Sequence, residues 1–493
     1  MRAKTRPLPA AVLTVTTLLA YGSGPARAQV DPARYAREAA AIAWATCPED
    51  DQVQCGTLKV PADWADPYGP ATTLTIARRL ATDPAARIGA LLVNPGGPGG
   101  SAVAFTLNAP TFFSAELRKH FDIVGMDPRG VGRSSPVLCS QDLVDALPTP
   151  MIETEQAYAD TVAFNRKLAA DCARRTGTVF AHADTGSVVH DMDAVRAALG
   201  EDRVSFYGAS YGTLIGELYA ERYPQHLRAI ALDSVLDHSA GLDDFLTQET
   251  DAAQDSFGQF VAWCARDARC VVRGQDIPRL WAGLVERARA GTLTDPYDPG
   301  HKLLLSDLLS AAFTAFYDPQ WYSFAYYLRD ATGPAGRSAR APDDIVDHSF
   351  PAVFCADWNL PITGFADYQA RLRALAARAP QMLASPLAIS AVAGCLGWPA
   401  PAADPQRDLT AATAPTLLVN ARHDPATAYV WAQHVAAQLG PKATLITYEG
   451  WGHVVYDHTK CVSDLVDGYL IALTVPAPGT TCPAVDPEPF GVG

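Results

Sequence analysis

The segment that decides the fold is residues 204–213, with the sequence V-S-F-Y-G-A-S-Y-G-T. Its first four residues form a short apolar run typical of a buried strand, and the residues after Gly212 continue without helix breakers. Between them, Gly208, Ser210 and Gly212 match the pattern G-x-S-x-G. The glycines permit a tight strand-to-helix turn that strains the serine backbone. We predict a nucleophilic Ser210 at this turn, the alternative being a structural turn with an inert serine.

Short apolar runs and longer helical patterns alternate along much of the chain. Strands are predicted at 73–76, 90–94, 121–126, 204–207, 229–232, 416–420 and 444–448, and helices at 188–199, 212–222, 426–439 and 457–473. This alternation favours a mostly parallel sheet covered by helices on both faces. Together with the serine turn, the pattern predicts an α/β-hydrolase fold.

The alternation of strands and helices fades between residues 237 and 403, where helix-like segments at 257–265 and 277–290 are separated by prolines. We interpret 237–403 as an inserted, mainly helical cap domain. The α/β-hydrolase core is then formed by residues 29–236 and 404–493. A separate domain on a linker is the alternative, but the sequence has no long Gly/Ser-rich linker and no internal repeat.

Residues 1–28 are predicted to be a secretory signal peptide, outside the fold. Basic residues at the start are followed by an apolar run over 10–21 and by small residues that end at Ala28. An uncleaved anchor is the weaker alternative, because this run is too short for a hydrocarbon core of about 30 Å. Cleavage near Ala28 predicts a secreted protein, extracellular or associated with the cell wall, without a membrane partner.

The charge of the chain restricts its partners. The formal net charge is −14, and the predicted signal peptide carries four basic residues and no acid, so the rest is more acidic still. An acidic surface argues against nucleic acid and anionic membranes as partners. The sequence implies no metal and no organic cofactor, and a monomer is expected.

The chain contains ten cysteines, and an even number in an exported protein predicts disulfides. Pairing in sequence order gives Cys47–Cys55, Cys139–Cys172, Cys264–Cys270, Cys355–Cys395 and Cys461–Cys482. Spacing alone leaves other connectivities open. A zinc site is a weak alternative, because no two cysteines have C-x-x-C spacing.

A serine nucleophile needs a base, and the base needs an acid that fixes its tautomer. In this fold the acid and then the histidine follow the serine along the chain, in loops at the carboxyl ends of strands. Asp424 lies just after the strand predicted at 416–420, and His453 follows the last predicted strand. We predict that Ser210, Asp424 and His453 form a catalytic triad.

Other acids and histidines compete for these two roles. Asp404 precedes its strand and Asp457 follows the candidate histidine, so both fit the expected chain order less well than Asp424. His423 precedes the acid, and His458 is expected inside the last helix. These positions leave His453 as the preferred base.

A glycine-rich turn, P-G-G-P-G-G at 95–100, follows the strand predicted at 90–94. This is where the fold places a backbone N–H that stabilises the oxyanion formed during acyl transfer. We assign Gly97 as the first choice for this donor and Gly96 as the second, with the amide of Tyr211 as the other donor. A phosphate-binding turn fails on spacing, because neither G-x-x-x-x-G-K nor G-x-G-x-x-G is present.

Several motifs resemble those of the prolyl and tripeptidyl aminopeptidases. They are N-P-G-G-P-G-G-S at 94–101, D-P-R-G-V-G-R-S at 127–134, G-A-S-Y-G-T at 208–213 and D-P-A-T at 424–427. Pro95 stands where the prolyl enzymes carry histidine, and the secreted tripeptidyl branch shares this proline. The resemblance covers residues 47–482. It implies a secreted, disulfide-bonded exopeptidase that releases one or three residues from free peptide N-termini.

An aminopeptidase must recognise a charged ammonium group, which requires carboxylates near the nucleophile. In related enzymes these come from the cap, and the candidates here are Asp237, Glu249 and Asp357. Ordinary solvated acids are the alternative for each of them in so acidic a protein. Two alternatives to an aminopeptidase are a carboxylesterase with the same triad and a non-catalytic binding protein of the same fold.

Overall fold

The computed structural model of the chain describes residues 42–298, 300–331, 345–410 and 414–489, so the predicted signal peptide lies outside the described residues. The strands are β1 (Ala45–Cys47), β2 (Asp50–Pro61), β3 (Ala71–Arg79), β4 (Gly89–Asn94), β5 (Phe121–Met126), β6 (Leu138–Ser140), β7 (Val204–Ala209), β8 (Leu227–Asp233), β9 (Ile345–Asp347), β10 (Thr416–His423), β11 (Ala443–Trp451) and β12 (Thr481–Cys482).

Helices connect most of these strands. They are α1 (Ala102–Leu107), α2 (Ala109–Phe112), α3 (Ala115–His120), α4 (Gln141–Asp145), α5 (Glu155–Thr176), α6 (Thr185–Ala198), α7 (Tyr211–Arg222), α8 (Leu242–Arg266), α9 (Ile277–Arg289), α10 (Leu305–Tyr317), α11 (Trp321–Asp330), α12 (Phe350–Asp357), α13 (Phe365–Arg378), α14 (Pro386–Cys395), α15 (Tyr429–Leu439) and α16 (Lys460–Ala472). Short 3₁₀ turns lie at Gly177–His182, Pro224–His226 and Gly440–Lys442.

One large sheet organises the molecule, with the strand order β1-β2-β3-β5-β4-β7-β8-β10-β11-β12. Its strands are parallel from β5 to β12, and β1, β2 and β3 join them in antiparallel pairs. Every residue of β4, β5 and β7 is buried, which explains why these strands are mostly apolar, with Asn94, Asp122 and Ser205 as buried polar exceptions. The predicted mostly parallel α/β sheet is confirmed.

Side chains of the central strands alternate between the two faces of this sheet. Leu92 and Phe206 belong to one apolar cluster, which also contains residues of α6 and α7. Leu91 and Tyr207 belong to another, which contains residues of α3 and α16. The sheet is therefore covered on both faces, and loops that carry a functional site can lie only at the ends of its strands.

The chain between β8 and β10 differs from the rest. Its described residues form seven helices, α8 to α14, and the short strand β9, which pairs with β6. We call residues 242–395 the helical segment. Many of its buried side chains form an apolar cluster around Trp263, Trp281 and Trp321, and others, such as Phe245 and Phe354, belong to the cluster on the sheet. Helix was expected here, and the cap boundaries at 237 and 403 stay predictions.

Five disulfides join Cys47–Cys55, Cys139–Cys172, Cys264–Cys270, Cys355–Cys395 and Cys461–Cys482. These are the pairs given by sequence order, and the described residues include no free cysteine. Such a set of disulfides is consistent with an extracellular protein. In the described part of the chain, no helix has the length and apolar character needed to cross a bilayer.

Candidate active site

Ser210 occupies the turn between β7 and α7 and has a strained backbone, with φ 56° and ψ −127°. The turn tolerates no side chain on either flank. A Cβ added to Gly208 would lie 2.3 Å from the Gly212 carbonyl oxygen, and one added to Gly212 would lie 2.7 Å from the Asn94 oxygen. The glycines of the motif are thus a steric requirement of the strand–serine–helix turn.

The acid and the base come from loops at the carboxyl ends of β10 and β11. Nδ1 of His453 lies 2.9 Å from both carboxylate oxygens of Asp424, and both side chains are fully buried. The carboxylate also accepts hydrogen bonds of 2.9 Å from the amides of Ala426 and Thr427. An acceptor at Nδ1 places the ring proton there and leaves Nε2 free to take a proton.

The link between serine and histidine is open in this structure. Among the described residues, Nε2 of His453 is buried and has no hydrogen-bond partner, while the Ser210 hydroxyl interacts with the phenol of Tyr317. Catalytic hydrogen bonds commonly tighten only when substrate binds. The structure therefore brings together Asp424 and His453 directly, with Ser210 near them on the partly exposed turn.

The glycine-rich turn after β4 lies against the serine. A Cβ on Gly96 would be 2.8 Å from the amide nitrogen of Tyr211, and the Gly96 amide itself donates to Asn94 Oδ1 at 2.9 Å. Within the described residues, the amides of Gly97 and Tyr211 donate to no acceptor in a loop or side chain. This difference favours Gly97 over Gly96 as an oxyanion donor.

The D-P-R-G motif supports that turn from behind. Asp127 accepts hydrogen bonds from the Ser101 hydroxyl at 2.7 Å, the Val103 amide at 2.9 Å and the Arg133 amide at 2.8 Å. Arg129 is fully buried and forms a two-point ion pair with Asp191 at 2.6 and 2.7 Å. The motif thus fixes the end of the glycine-rich turn to the sheet.

A cavity opens beside Ser210. It is lined by Gly97, Pro98, Ser210, Tyr211, Leu236, Phe245, Glu249, Phe350, Phe354, Leu387, Ala391, Ala426 and Thr427. Most of its apolar wall comes from the helical segment. Glu249, on α8, is the only carboxylate in this lining; it is buried, and it accepts a hydrogen bond from the Ser385 hydroxyl at 2.6 Å. Burial raises the pKa of Glu249 to about 8.

The other two acids predicted to bind an N-terminus lie elsewhere. Asp237 is buried among Ser239, His434 and Gln438, outside the cavity lining described above. Asp357 accepts a hydrogen bond of 2.6 Å from the Tyr211 phenol, and its other partner is Thr185. Burial raises the pKa of Asp357 to about 8. Asp357 therefore ties the helical segment to the serine turn.

Two residues near His453, Thr427 and Tyr317, were not predicted from the sequence, and His458 was predicted in the wrong element. The Thr427 hydroxyl lies 2.9 Å from Asp424 Oδ2 and 3.3 Å from His453 Nδ1, and its only signal was its place in D-P-A-T. Tyr317 packs its ring on His453 from α10, a contact that no local motif marks. His458 lies in the turn before α16 and not inside that helix, because α16 begins at Lys460.

Comparison with known proteins agrees with this geometry. The family described as "TAP-like protein" matches residues 380–482. Serine protease Hip1 of Mycobacterium tuberculosis is 32% identical over 462 residues, covering 87% of each chain. Tripeptidyl aminopeptidase of Streptomyces coelicolor is 30% identical over 508 residues, covering 94% of this chain and 89% of the relative. The chain belongs to the tripeptidyl aminopeptidase-like family of α/β hydrolases.

Members of this family carry different activities in their names. Carboxylesterase B of Mycobacterium tuberculosis is 32% identical to this chain over 471 residues, covering 87% of this chain and 86% of the relative. A serine protease, an aminopeptidase and an esterase all hydrolyse acyl compounds. The protein is therefore a serine hydrolase, and the predicted family resemblance is confirmed.

Proposed function

We propose that the protein is a serine exopeptidase that releases tripeptides or single residues from free peptide N-termini, with a preference for proline as the narrower form of this proposal. The observation that carries the proposal is the buried carboxylate of Glu249 in the cavity that contains Ser210. With its pKa raised to about 8, Glu249 is mostly protonated at neutral pH in the empty cavity. An ammonium group is the partner that would stabilise its charged form there, because a buried charge needs an opposite charge. Peptidase names among the relatives support peptides as substrates.

In the proposed mechanism, Ser210 attacks the scissile carbonyl and His453 takes the hydroxyl proton at Nε2. Asp424 holds the imidazole tautomer and stabilises the imidazolium, as its bond to Nδ1 indicates. The amides of Gly97 and Tyr211 stabilise the oxyanion. His453 then protonates the leaving amine, and water hydrolyses the acyl-enzyme.

The substrate's N-terminus would sit at Glu249, and Asp237 and Asp357 would have no direct part in its recognition. We also propose secretion after cleavage near Ala28, with residues 237–403 acting as a cap; the five disulfides support export. The first residue of the exported protein, read by mass spectrometry, tests the cleavage site.

Product analysis tests the exopeptidase proposal. Mass spectrometry should detect tripeptides or single residues released from a free peptide and no release from its N-acetylated form. Glu249→Gln should lower kcat/KM for the free peptide about 10- to 100-fold, since a charged hydrogen bond is worth about 1.5–3 kcal/mol.

Asp237→Asn is the matched control for Glu249→Gln and should retain activity. Equal cleavage of free and acetylated peptides, or internal fragments, would contradict the proposal, and Ser210→Ala must abolish turnover.

A carboxylesterase with the same triad is the second candidate, favoured by the esterase name of one relative. A tripeptide chromogenic amide such as Ala-Pro-Ala distinguishes it from a short acyl ester. Strong ester turnover with no amide cleavage would favour the esterase. The aminopeptidase proposal expects the amide to be cleaved, and its cleavage to stop on N-acetylation.

A further inference from the structure

Tyr317, the last residue of α10, contacts the proposed base from the helical segment. The ring centroids of Tyr317 and His453 are 4.3 Å apart, with the rings tilted by 46°. The backbone amide of His453 also donates to the Tyr317 carbonyl oxygen at 2.8 Å. The loop after β11 that carries the imidazole is thus anchored on one side by the sheet and on the other by the helical segment.

This anchoring contact is tightly packed. Gly452, with φ +94°, lies so close to the chain after α10 that an added Cβ would be 2.8 Å from Pro319 Cδ. The neighbouring Trp451 packs against Trp321 at the start of α11, with ring centroids 4.9 Å apart. Because packed groups of this kind have little freedom to shift separately, a displacement of the connection between α10 and α11 would displace His453.

The phenol of Tyr317 is within hydrogen-bonding reach of the nucleophile. It interacts with the Ser210 hydroxyl, and burial together with the charge of Asp424 raises the pKa of Tyr317 well above its usual value. The phenol therefore keeps its proton, and because either hydroxyl can be the donor, it can donate to Ser210 Oγ once the serine proton turns towards His453. With its oxygen held in this way, the serine hydroxyl can direct its own proton to Nε2 of His453. Among the described residues, this nitrogen has no other hydrogen-bond partner.

We propose that Tyr317 is a positioning residue, which fixes His453 through its carbonyl and ring and orients the Ser210 hydroxyl through its phenol. During acylation the Ser210 proton goes to Nε2 of His453 as Oγ bonds the carbonyl carbon, and the phenol proton stays on Tyr317. The inference rests on the proposed roles of Ser210 and His453. If Tyr317 has this role, the helical segment must be packed against the loop of His453 for the chemical step as well as for substrate binding.

Two substitutions separate the phenol from the ring. Tyr317→Phe keeps the ring and the carbonyl, and Tyr317→Ala also removes the ring. The matched control is Tyr326→Phe, an exposed tyrosine of α11 that packs on Arg329. The measurements are the second-order rate of labelling by a fluorophosphonate probe, which does not depend on peptide binding, and kcat and KM for a peptide amide.

We expect Tyr317→Phe to lower the labelling rate and kcat about 5- to 10-fold, the value of one neutral hydrogen bond. KM should stay within about twofold of wild type, because the phenol acts on the nucleophile. Tyr317→Ala should lower both rates about 100-fold, since small displacements of reacting groups cost that much. The difference in rate between Tyr317→Ala and Tyr317→Phe measures the contribution of the ring. Tyr326→Phe should have the same rates as wild type.

Labelling of Tyr317→Phe at the wild-type rate or faster would overturn the proposal, because the phenol would then either have no effect on the reactivity of Ser210 or lower it. A loss confined to KM would overturn it as well, since it would place Tyr317 in peptide binding. If Tyr317→Ala fails to fold in thermal unfolding, the Phe variant alone decides. Activity in Ser210→Ala would refute the proposed function itself, whereas an inactive Ser210→Ala with unimpaired Tyr317 variants would refute only this inference.

Discussion

The two halves of the active site are built differently. The sheet half consists of the serine turn, the glycine-rich turn and the loops of Asp424 and His453, all held by backbone geometry at the ends of strands. The other half, from the helical segment, consists of Glu249, Tyr317 and an aromatic cavity wall, all held by side-chain packing. The sheet half contains the groups proposed to react, and the helical half supplies most of the apolar wall of the cavity.

This difference separates chemistry from specificity. The relatives carry protease, aminopeptidase and esterase names, and the groups proposed to carry out hydrolysis in this chain lie in the sheet half. We therefore expect substrate choice to depend on what the helical segment places in the cavity. Asp357 and Tyr317 join the two halves, since one bonds the Tyr211 phenol and the other contacts His453. If the division is right, variants of the two halves should fail in different ways.

The largest effect should come from the acid of the sheet half. Asp424→Asn should lower kcat about 10⁴-fold, the loss produced in other serine proteases when this carboxylate becomes an amide and the histidine tautomer is wrong. Steady-state kinetics on a peptide amide measure it. The control from the helical half is Asp357→Asn, a buried aspartate without contact to the imidazole, which should lose far less. Equal losses in both variants would erase the proposed division.

A glycine in each half gives the next comparison. Gly96→Ala should lower kcat about 10²- to 10³-fold, because its Cβ would lie 2.4 Å from the Ala209 oxygen at φ +88° and push the oxyanion turn off the serine. Gly258→Ala, in α8, meets nothing within 4 Å and should keep full activity. Kinetics of both purified variants, with circular dichroism as the folding check, decide. A fully active Gly96→Ala would show that the turn has more freedom than its contacts indicate.

The sheet half was the part that could be predicted from the sequence. Its strands are buried apolar runs, and its glycines are imposed by close backbone contacts, so both leave patterns in the sequence. All seven predicted strands occur. The edge strand β1 and its neighbour β2 were missed, because β1 has only three residues with one of them buried, and only part of β2 is buried. The long helix α5 was missed for the same reason: much of its surface is exposed and polar, so it leaves no strong apolar pattern in the sequence.

The helical half could be predicted only in outline. Its helical character was visible, but three acids were equal candidates, because burial of Glu249 beside Ser210 depends on how α8 packs against the cavity. Tyr317 had no signal, since its partner His453 is 136 positions away in the chain. Side chains whose role depends on tertiary packing leave no local pattern in the sequence, and the proposed specificity residue Glu249 is one of them.

The smallest expected effect is on the free energy of unfolding. It compares two buried glutamates, Glu249 in the helical segment and Glu217 on α7 beside the sheet. Burial raises the pKa of Glu249 from about 4.5 to about 8, so its contribution to stability is complete below pH 4.5 and is lost as the pH rises towards 8. Glu249→Gln removes this loss and should raise the free energy of unfolding by about 1–3 kcal/mol at pH 8, with little change at pH 4.

Glu217, on α7 in the sheet half, is the matched comparison. Burial also raises its pKa well above the usual value, and both its carboxylate oxygens are without a hydrogen-bond partner in the described residues. Glu217→Gln should therefore be stabilising too, as urea unfolding at both pH values can measure. Only Glu249→Gln should gain stability while losing cleavage of free peptides, because a destabilising carboxylate in a substrate cavity is retained for binding and not for folding. Loss of activity in both variants would instead assign the activity change to the packing of α7 and α8.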